Sequence, residues 1–140
     1  METPKRAYGN AGEEQAARYL DGEGYTLLKR NWRVGHLELD IVADWFGELV
    51  FVEVKTRQNE DFAPAYTAVD IEKQHHMVQA AHAYMAYHRL DQPYRFDIIT
   101  LIGTPPTWTL HHYPNAFTEQ SVQVALKRKK WRFDNAFAKD

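Results

Sequence analysis

The sequence predicts an α/β fold, one mixed sheet with helices on its faces, and three observations predict it. Two strand-like stretches, "HLELDIVADW" and "ELVFVEVKTR", meet at Phe46-Gly47, a pair suited to a tight turn. A helical pattern from Asp70 to about Arg89 separates them from a further strand pattern, "YRFDIITLIG", and a crossover of that length joins parallel strands. With 44% hydrophobic and 14% aromatic residues, a chain of 140 residues can bury one core and is not a disordered polyelectrolyte.

Taken in order, the first element is a helix over Gly12 to Glu23. Ala16, Ala17 and Leu20 form its apolar stripe, and Gly24 is the stop. "YTLLKRNWR" (25–33) is a strand in which Trp32 packs in the core. In the next strand Leu37, Leu39, Ile41, Ala43 and Trp45 alternate with Glu38, Asp40, Val42 and Asp44. The returning strand places Val50, Val52 and Val54 on one side and Phe51, Glu53, Lys55 and Arg57 on the other. "QNEDFAPAYTA" is a polar loop. The long helix is capped by Asp70 and turns Ile71, Val78, Ala81 and Met85 inward. "TWTLHHY" is an edge strand, and an amphipathic helix with the basic run "KRKKWR" (127–132) follows. The predicted order is α-β-β-β-α-β-β.

A formal charge of −2 rules out a globally basic surface, so any nucleic-acid contact must be local. With no cysteine, disulfides and thiolate metal sites are excluded. No apolar run approaches the ~20 residues that span a bilayer. "METPKRAYGNAGEEQ" has no apolar signal segment, so a cytoplasmic location without a membrane partner is the expectation.

The candidate chemistry lies in the hairpin. Folded about Phe46-Gly47, it sets residues whose numbers sum to 93 opposite each other: Asp40 against Glu53, and Glu38 against Lys55. All four then share one sheet face, with opposed Cβ atoms about 4.5–5.5 Å apart. Two directly opposed carboxylates repel, and a divalent cation offsets that cost, since Mg²⁺ takes one or two carboxylates and completes its shell with water and phosphate oxygens. Lys55 would stand beside such an ion, placed to orient a water or neutralise a phosphate. A solvated face with a Glu38–Lys55 ion pair explains the hairpin alone equally well. The first helix favours the metal reading, because its phase turns Glu13 inward and Glu14 toward water.

Glu13, Asp40, Glu53 and Lys55 together resemble the PD-(D/E)xK nuclease signature, a helix Glu followed by Asp and then Glu-x-Lys on a hairpin. More specifically, the chain resembles the YraN family of predicted endonucleases, which is similar to archaeal Holliday-junction resolvases. The likeness is carried by "GNAGEEQAARYLDGEGYTLLKRNWR", "ELDIVA", "LVFVEVKTR", Ala68-Val69 with Lys73, "RFDIITL" and "HHYPNAF". It departs from the pattern at Leu39, where the signature often has Pro, and at Leu37, where the family usually has Gly.

The resemblance implies a restriction-endonuclease-like mixed β-sheet flanked by helices. It implies a Mg²⁺ (or Mn²⁺) requirement, with Asp40 and Glu53 as metal ligands, Glu13 supporting them and Lys55 as the catalytic lysine. The implied activity is hydrolysis of DNA phosphodiester bonds at branched or damaged sites, with Arg57 and Lys73 contacting phosphates. Homodimerisation fits a junction, which presents two related strands. Residues 1–117 would form the nuclease-like domain, and 118–140 a basic extension, helical or partly disordered. That extension lies beyond the resemblance: its Lys127, Arg128, Lys129 and Lys130 form either a solvated basic tail or a grip on DNA backbone. Two competing readings are a nucleic-acid-binding module of this fold with little turnover, and a protein–protein adaptor with an incidental acidic patch.

Overall fold

The computed structural model describes residues 2–136. Helix α1 (Pro4–Gly22) is followed by β1 (Thr26–Val34), β2 (Leu37–Trp45) and β3 (Glu48–Arg57). A 3₁₀ turn over Ala65–Ala68 leads into α2 (Ile71–Tyr87), then β4 (Tyr94–Ile102), β5 (Thr109–Phe117) and α3 (Glu119–Asp134). The strands form one sheet in the order β1-β2-β3-β4-β5. Only β3 and β4 run parallel, and α2 is the crossover between them. The expected mixed sheet with flanking helices is what forms. No described helix is long and apolar enough to cross a membrane.

Two cores sandwich the sheet. Ala16, Ala17 and Leu20 of α1 pack on Ile41, Ala43, Val50, Val52, Val54, Ile99 and Leu101. On the opposite face, α2 covers Leu39, Val42, Phe51, Phe96 and Ile98, and Val122 of α3 is buried in the same cluster. Asp70 caps α2 through its side chain, as expected. Helix α3 starts from a reciprocal Thr118–Ser121 capping box. Trp32 is part of the α2-side packing, edge-on to Tyr84 at 5.3 Å.

Three expectations are corrected. Helix α1 begins at Pro4, well before Gly12, because Thr3 accepts the Arg6 N–H as N-cap and Pro4 occupies a first-turn position. Gly12 lies inside it as a point of close approach: a Cβ there would lie 2.2 Å from Thr56 Cγ2 of β3. Strand β5 runs to Phe117 rather than ending at Tyr113. A bulge between Phe96 and Ile98 in register takes up the extra residues, with Asn115 at φ 50 donating its N–H to Asp97.

The third correction concerns the faces of β2. Ile41 and Ala43 join the α1-side core, but Leu39 joins the α2-side core with Val42. Simple alternation therefore breaks at Asp40. Its neighbour in β1, Asn31, has φ 53, and Arg30 and Trp32 on either side of it also point to opposite faces. The two strands change phase together, and that change positions the site.

Candidate metal and phosphodiester site

The β2–β3 hairpin keeps the expected register from Trp45↔Glu48 to Ile41↔Val52. Phe46 and Gly47, at φ 51 and 89, form the turn, and Asp44 accepts the Gly47 N–H. Beyond Ile41 the ladder stops. Asp40 does not pair with Glu53 across it, and its Oδ2 accepts the Val54 N–H at 2.9 Å. A backbone donor that would serve the sheet serves a carboxylate instead.

Glu53 continues the regular β3–β4 ladder beside Ile98, so it projects to the α2 side with Phe51 and Lys55. It is 4% exposed and Asp40 7%. Burial, then a hydrogen bond and repulsion from Asp40, push the Glu53 carboxyl well above the ordinary range, while Lys73 and Lys55 oppose that rise. Bonded to the backbone of Val54, the residue that follows Glu53, Asp40 is near enough for the two carboxyl groups to repel. Lys73, from the first turn of α2, closes on Glu53 at 3.1 Å. Burial works against the Lys73 charge, yet Glu53 outweighs it and the ammonium pKa is raised. Beside Lys55 in register is Thr100, 1% exposed, whose Oγ1 has no hydrogen-bond partner among the described residues.

Glu13 approaches from α1, the other side of the sheet. Burial and the nearby charges of Asp40 and Glu38 push its carboxyl up to about 7, against the pull of Arg30 and a bond from Asn31. Glu14 faces outward and pairs with Arg30 at 2.8 Å and Arg18 at 3.2 Å, which separates the two helix glutamates as their phase predicts. Asp40, in the gap where the ladder ends, is the residue that both sides share.

The expectation that Glu38, Asp40, Glu53 and Lys55 share one sheet face is thus corrected. Glu53 and Lys55 lie toward α2, and Glu13 toward α1. Glu38 pairs with Arg33 at 3.4 Å and not with Lys55, because no ladder exists at that position to set them opposite. Among the other expected residues, Arg57 is exposed and donates to Thr56 O at 2.7 Å. Lys127, Arg128, Lys129 and Lys130 are exposed on α3, where Lys129 pairs with Glu72 and Lys130 with Asp134. The Lys73–Glu53 pair was not anticipated. The two residues are far apart in sequence, and only the parallel crossover brings them together.

A hard divalent cation suits this donor set. Among the described residues no group of three or more Asp, Glu or His side chains surrounds one point. Mg²⁺ does not require one, since it binds through one or two carboxylates plus water and phosphate oxygens. Asp40 and Glu53 supply two buried, mutually repelling carboxylates, a cost that a cation would relieve. The orphan Thr100 hydroxyl and Lys55 are donors on the same side, suited to oxygen ligands of an anion.

A second polar cluster stands apart from this one. Asp97, fully buried, accepts from Arg95 at 3.0 and 3.1 Å, His112 at 2.7 Å and the Asn115 N–H at 2.9 Å. Burial alone would raise its pKa, but these donors outweigh it and hold the carboxyl below its usual range. It ties β4 to the β5 bulge.

Comparison with known proteins places the chain among similar sequences. The model of the family described as "Uncharacterised protein family UPF0102" matches residues 12–101. A UPF0102 protein of Bacteroides thetaiotaomicron is 51% identical over 109 residues, 78% of this chain and 90% of its own. A UPF0102 protein of Bacteroides fragilis is 48% identical over the same shares, and one from Myxococcus xanthus is 39% identical over 81% of this chain and 90% of its own. The matched segment contains Glu13, Asp40, Glu53, Lys55, Arg57 and Lys73, while α3 lies outside it.

Proposed function

The chain belongs to the UPF0102 family, and from that premise we propose that it is a divalent-metal-dependent endonuclease that hydrolyses DNA phosphodiester bonds at branched or damaged sites. The observation that carries this reading is the burial of two carboxylates, Asp40 and Glu53, at the point where the hairpin ladder breaks, with Asp40 bonded to the Val54 N–H next to Glu53. A fold selected for stability alone would separate such a pair or replace one member. Asp40 and Glu53 would hold Mg²⁺ or Mn²⁺, which when bound supplies Lewis acidity to a phosphate and a more acidic water.

The chain's own residues have distinct parts in this reading. Lys55, on the Glu53 side, orients the attacking water and offsets charge on the phosphate. Glu13 adds negative potential at Asp40 from the α1 side. Lys73 holds the Glu53 carboxylate in place until a cation takes over part of its role. Arg57 and the basic face of α3 meet the phosphate backbone, and a homodimer would present two such sites to the two strands of a junction.

One observation favours a second reading, a binding module with little turnover: both carboxylates are already engaged, Asp40 by Val54 N–H and Glu53 by Lys73. Labelled branched, single-stranded and duplex DNA, incubated with Mg²⁺ or Mn²⁺, separates the two. Wild type should cut, and Asp40→Asn, which keeps an oxygen for the Val54 N–H, should lose cutting, as should Lys55→Ala. Binding without cleavage under either metal supports the module. Neither binding nor cleavage removes both.

A further inference from the structure

Next to the acidic pair is a cleft of about 680 Å³ bounded by α2, the 3₁₀ turn, β4 and β5. Its lining includes Tyr66, Thr67, Val69, Gln74, Ile98 and Tyr113. Two of these connect it to the candidate site. Ile98 is the register neighbour of Glu53, one strand spacing away (about 4.8 Å), and faces the same side. Gln74 directly follows Lys73, the residue paired to Glu53. Within this cleft the rings of Tyr66 and Tyr113 lie 5.4 Å apart, inclined at 57°, and Tyr66 is 45% exposed.

The chemistry of the lining narrows the occupant. No Asp, Glu, Lys or Arg lines the cleft, so it is suited to a flat uncharged ring rather than a phosphate. Its volume lies within the range of about 300–1,000 Å³ typical of small-ligand sites. Thr67 donates to Pro64 O and Gln74 to Val69 O, so the polar groups are largely committed to their own chain and select weakly among ring edges. Across the loop a second cleft is lined by Arg57 and Phe62, with Thr67 common to both, and Phe62 is fully exposed. Aromatic rings set beside a cation form the platform on which single strands stack, tolerant of sequence because every base has a π-face.

We propose that this cleft receives an unpaired nucleobase of the strand whose phosphate lies at Asp40, Glu53 and Lys55. The base stacks on Tyr66, and the strand continues past Phe62 and Arg57. This rests on the nucleic-acid reading above and adds the substrate class: single-stranded or unpaired segments at a branch, a fork or a damaged site. A base inside a duplex reaches the cleft only after unstacking, which costs a few kcal/mol.

The test uses the full chain and fluorescence anisotropy with a labelled single strand, a blunt duplex and a fork, alongside quenching of 2-aminopurine placed in the single strand. Tyr66→Ala should weaken single-strand binding about 5- to 150-fold, the span expected for loss of one base–aromatic stack, and abolish the quench. Duplex affinity should stay unchanged. Tyr66→Phe keeps the ring and should behave as wild type, which a role for the hydroxyl would not allow. Single-strand affinity that survives Tyr66→Ala, or an equal fall on single strand and duplex, overturns the proposal while leaving metal-dependent cutting of duplex intact as a separate result. Failure of the wild type to bind any of the three DNAs overturns this proposal and the reading beneath it together.

Discussion

Lys73→Met is the perturbation that reads the acidic site most directly, because it removes the one cation in salt-bridge contact with Glu53 among the described residues. The Glu53 side chain is 6% exposed and that of Lys73 30%. Truncating one partner of a buried pair costs about 3–5 kcal/mol. Partial exposure of Lys73, and the freedom of Glu53 to take up a proton, bring the expectation to about 2–3 kcal/mol. Over 140 residues, an unfolding entropy near 2.1 cal/mol/K per residue is about 0.29 kcal/mol/K, so Tm should fall by roughly 7–10 °C.

Urea denaturation followed by tryptophan fluorescence measures this, with Lys73→Arg as the charge-conserving control. Adding Mg²⁺ gives the sharper arm. A cation present at ten times its Kd stabilises a fold by about 1.4 kcal/mol, and a tenfold tighter site by about 2.7 kcal/mol. With the competing ammonium gone, the Mg²⁺ increment should grow from the first value toward the second. A loss below about 0.5 kcal/mol, the ordinary scatter of surface substitutions, refutes the buried-pair argument. An increment that stays equal or shrinks refutes the argument that the cation and Lys73 share Glu53.

Three further outcomes are expected. Gly12→Ala should destabilise by about 1–3 kcal/mol, since its Cβ would lie 2.2 Å from Thr56 Cγ2; in a Thr56→Ser background, which lacks that methyl, denaturation should show most of the cost recovered. Asp97→Ala should cost about 3 kcal/mol by taking the acceptor from His112 and the Asn115 N–H, while Arg95 keeps Glu48 and Tyr25. Because the folded pKa of Asp97 is depressed, its contribution is present above its unfolded value near 4 and is lost as pH falls through the folded one, so the acid limb of wild-type stability below about pH 4 should flatten in the variant. On α3, Lys127 and Arg128 have no ion-pair partner among the described residues, whereas Lys129 and Lys130 do. Replacing Lys127 or Arg128 by Ala should lower the slope of log affinity against log salt on duplex DNA by about 0.9 each, and replacing Lys129 or Lys130 by less.

Much of the fold was legible because its signals are local. Phe46-Gly47 supplies two consecutive residues at positive φ, so the hairpin register follows from the turn and holds from Ile41 to Val52. The Asp70 cap and the α2 stripe are equally local. The start of α1 was also readable: Thr3-Pro4 is an N-cap followed by a first-turn proline, but Gly9 and Gly12 lower helix propensity and mask it. Other features have no local signal. The β5 bulge depends on Asp97 accepting the Asn115 N–H from another strand. Tyr66 and Tyr113 meet only because the crossover sets the 3₁₀ turn against the sheet edge.

The acidic site is where the sheet's own rules give way, and that is why the sequence showed its members better than their arrangement. Alternation would put Glu38, Asp40, Glu53 and Lys55 on one face, with Lys55 neutralising Glu38. In the folded chain Glu38 turns to Arg33, the ladder ends at Ile41, and Asn31 adopts a left-handed backbone beside the break. The Glu38–Arg33 pair is ordinary pairing across the β1–β2 ladder, whereas the early end of the β2–β3 ladder and the left-handed Asn31 sacrifice pairings that would have stabilised a plain sheet. The break leaves Asp40 and Glu53 both buried beside it, compensated from two different elements by Val54 N–H and Lys73. An incidental acidic patch on a solvated face needs none of these distortions. Under the proposed function, a pair of carboxylates held ready for a cation would account for the ladder break and for the burial of both acids.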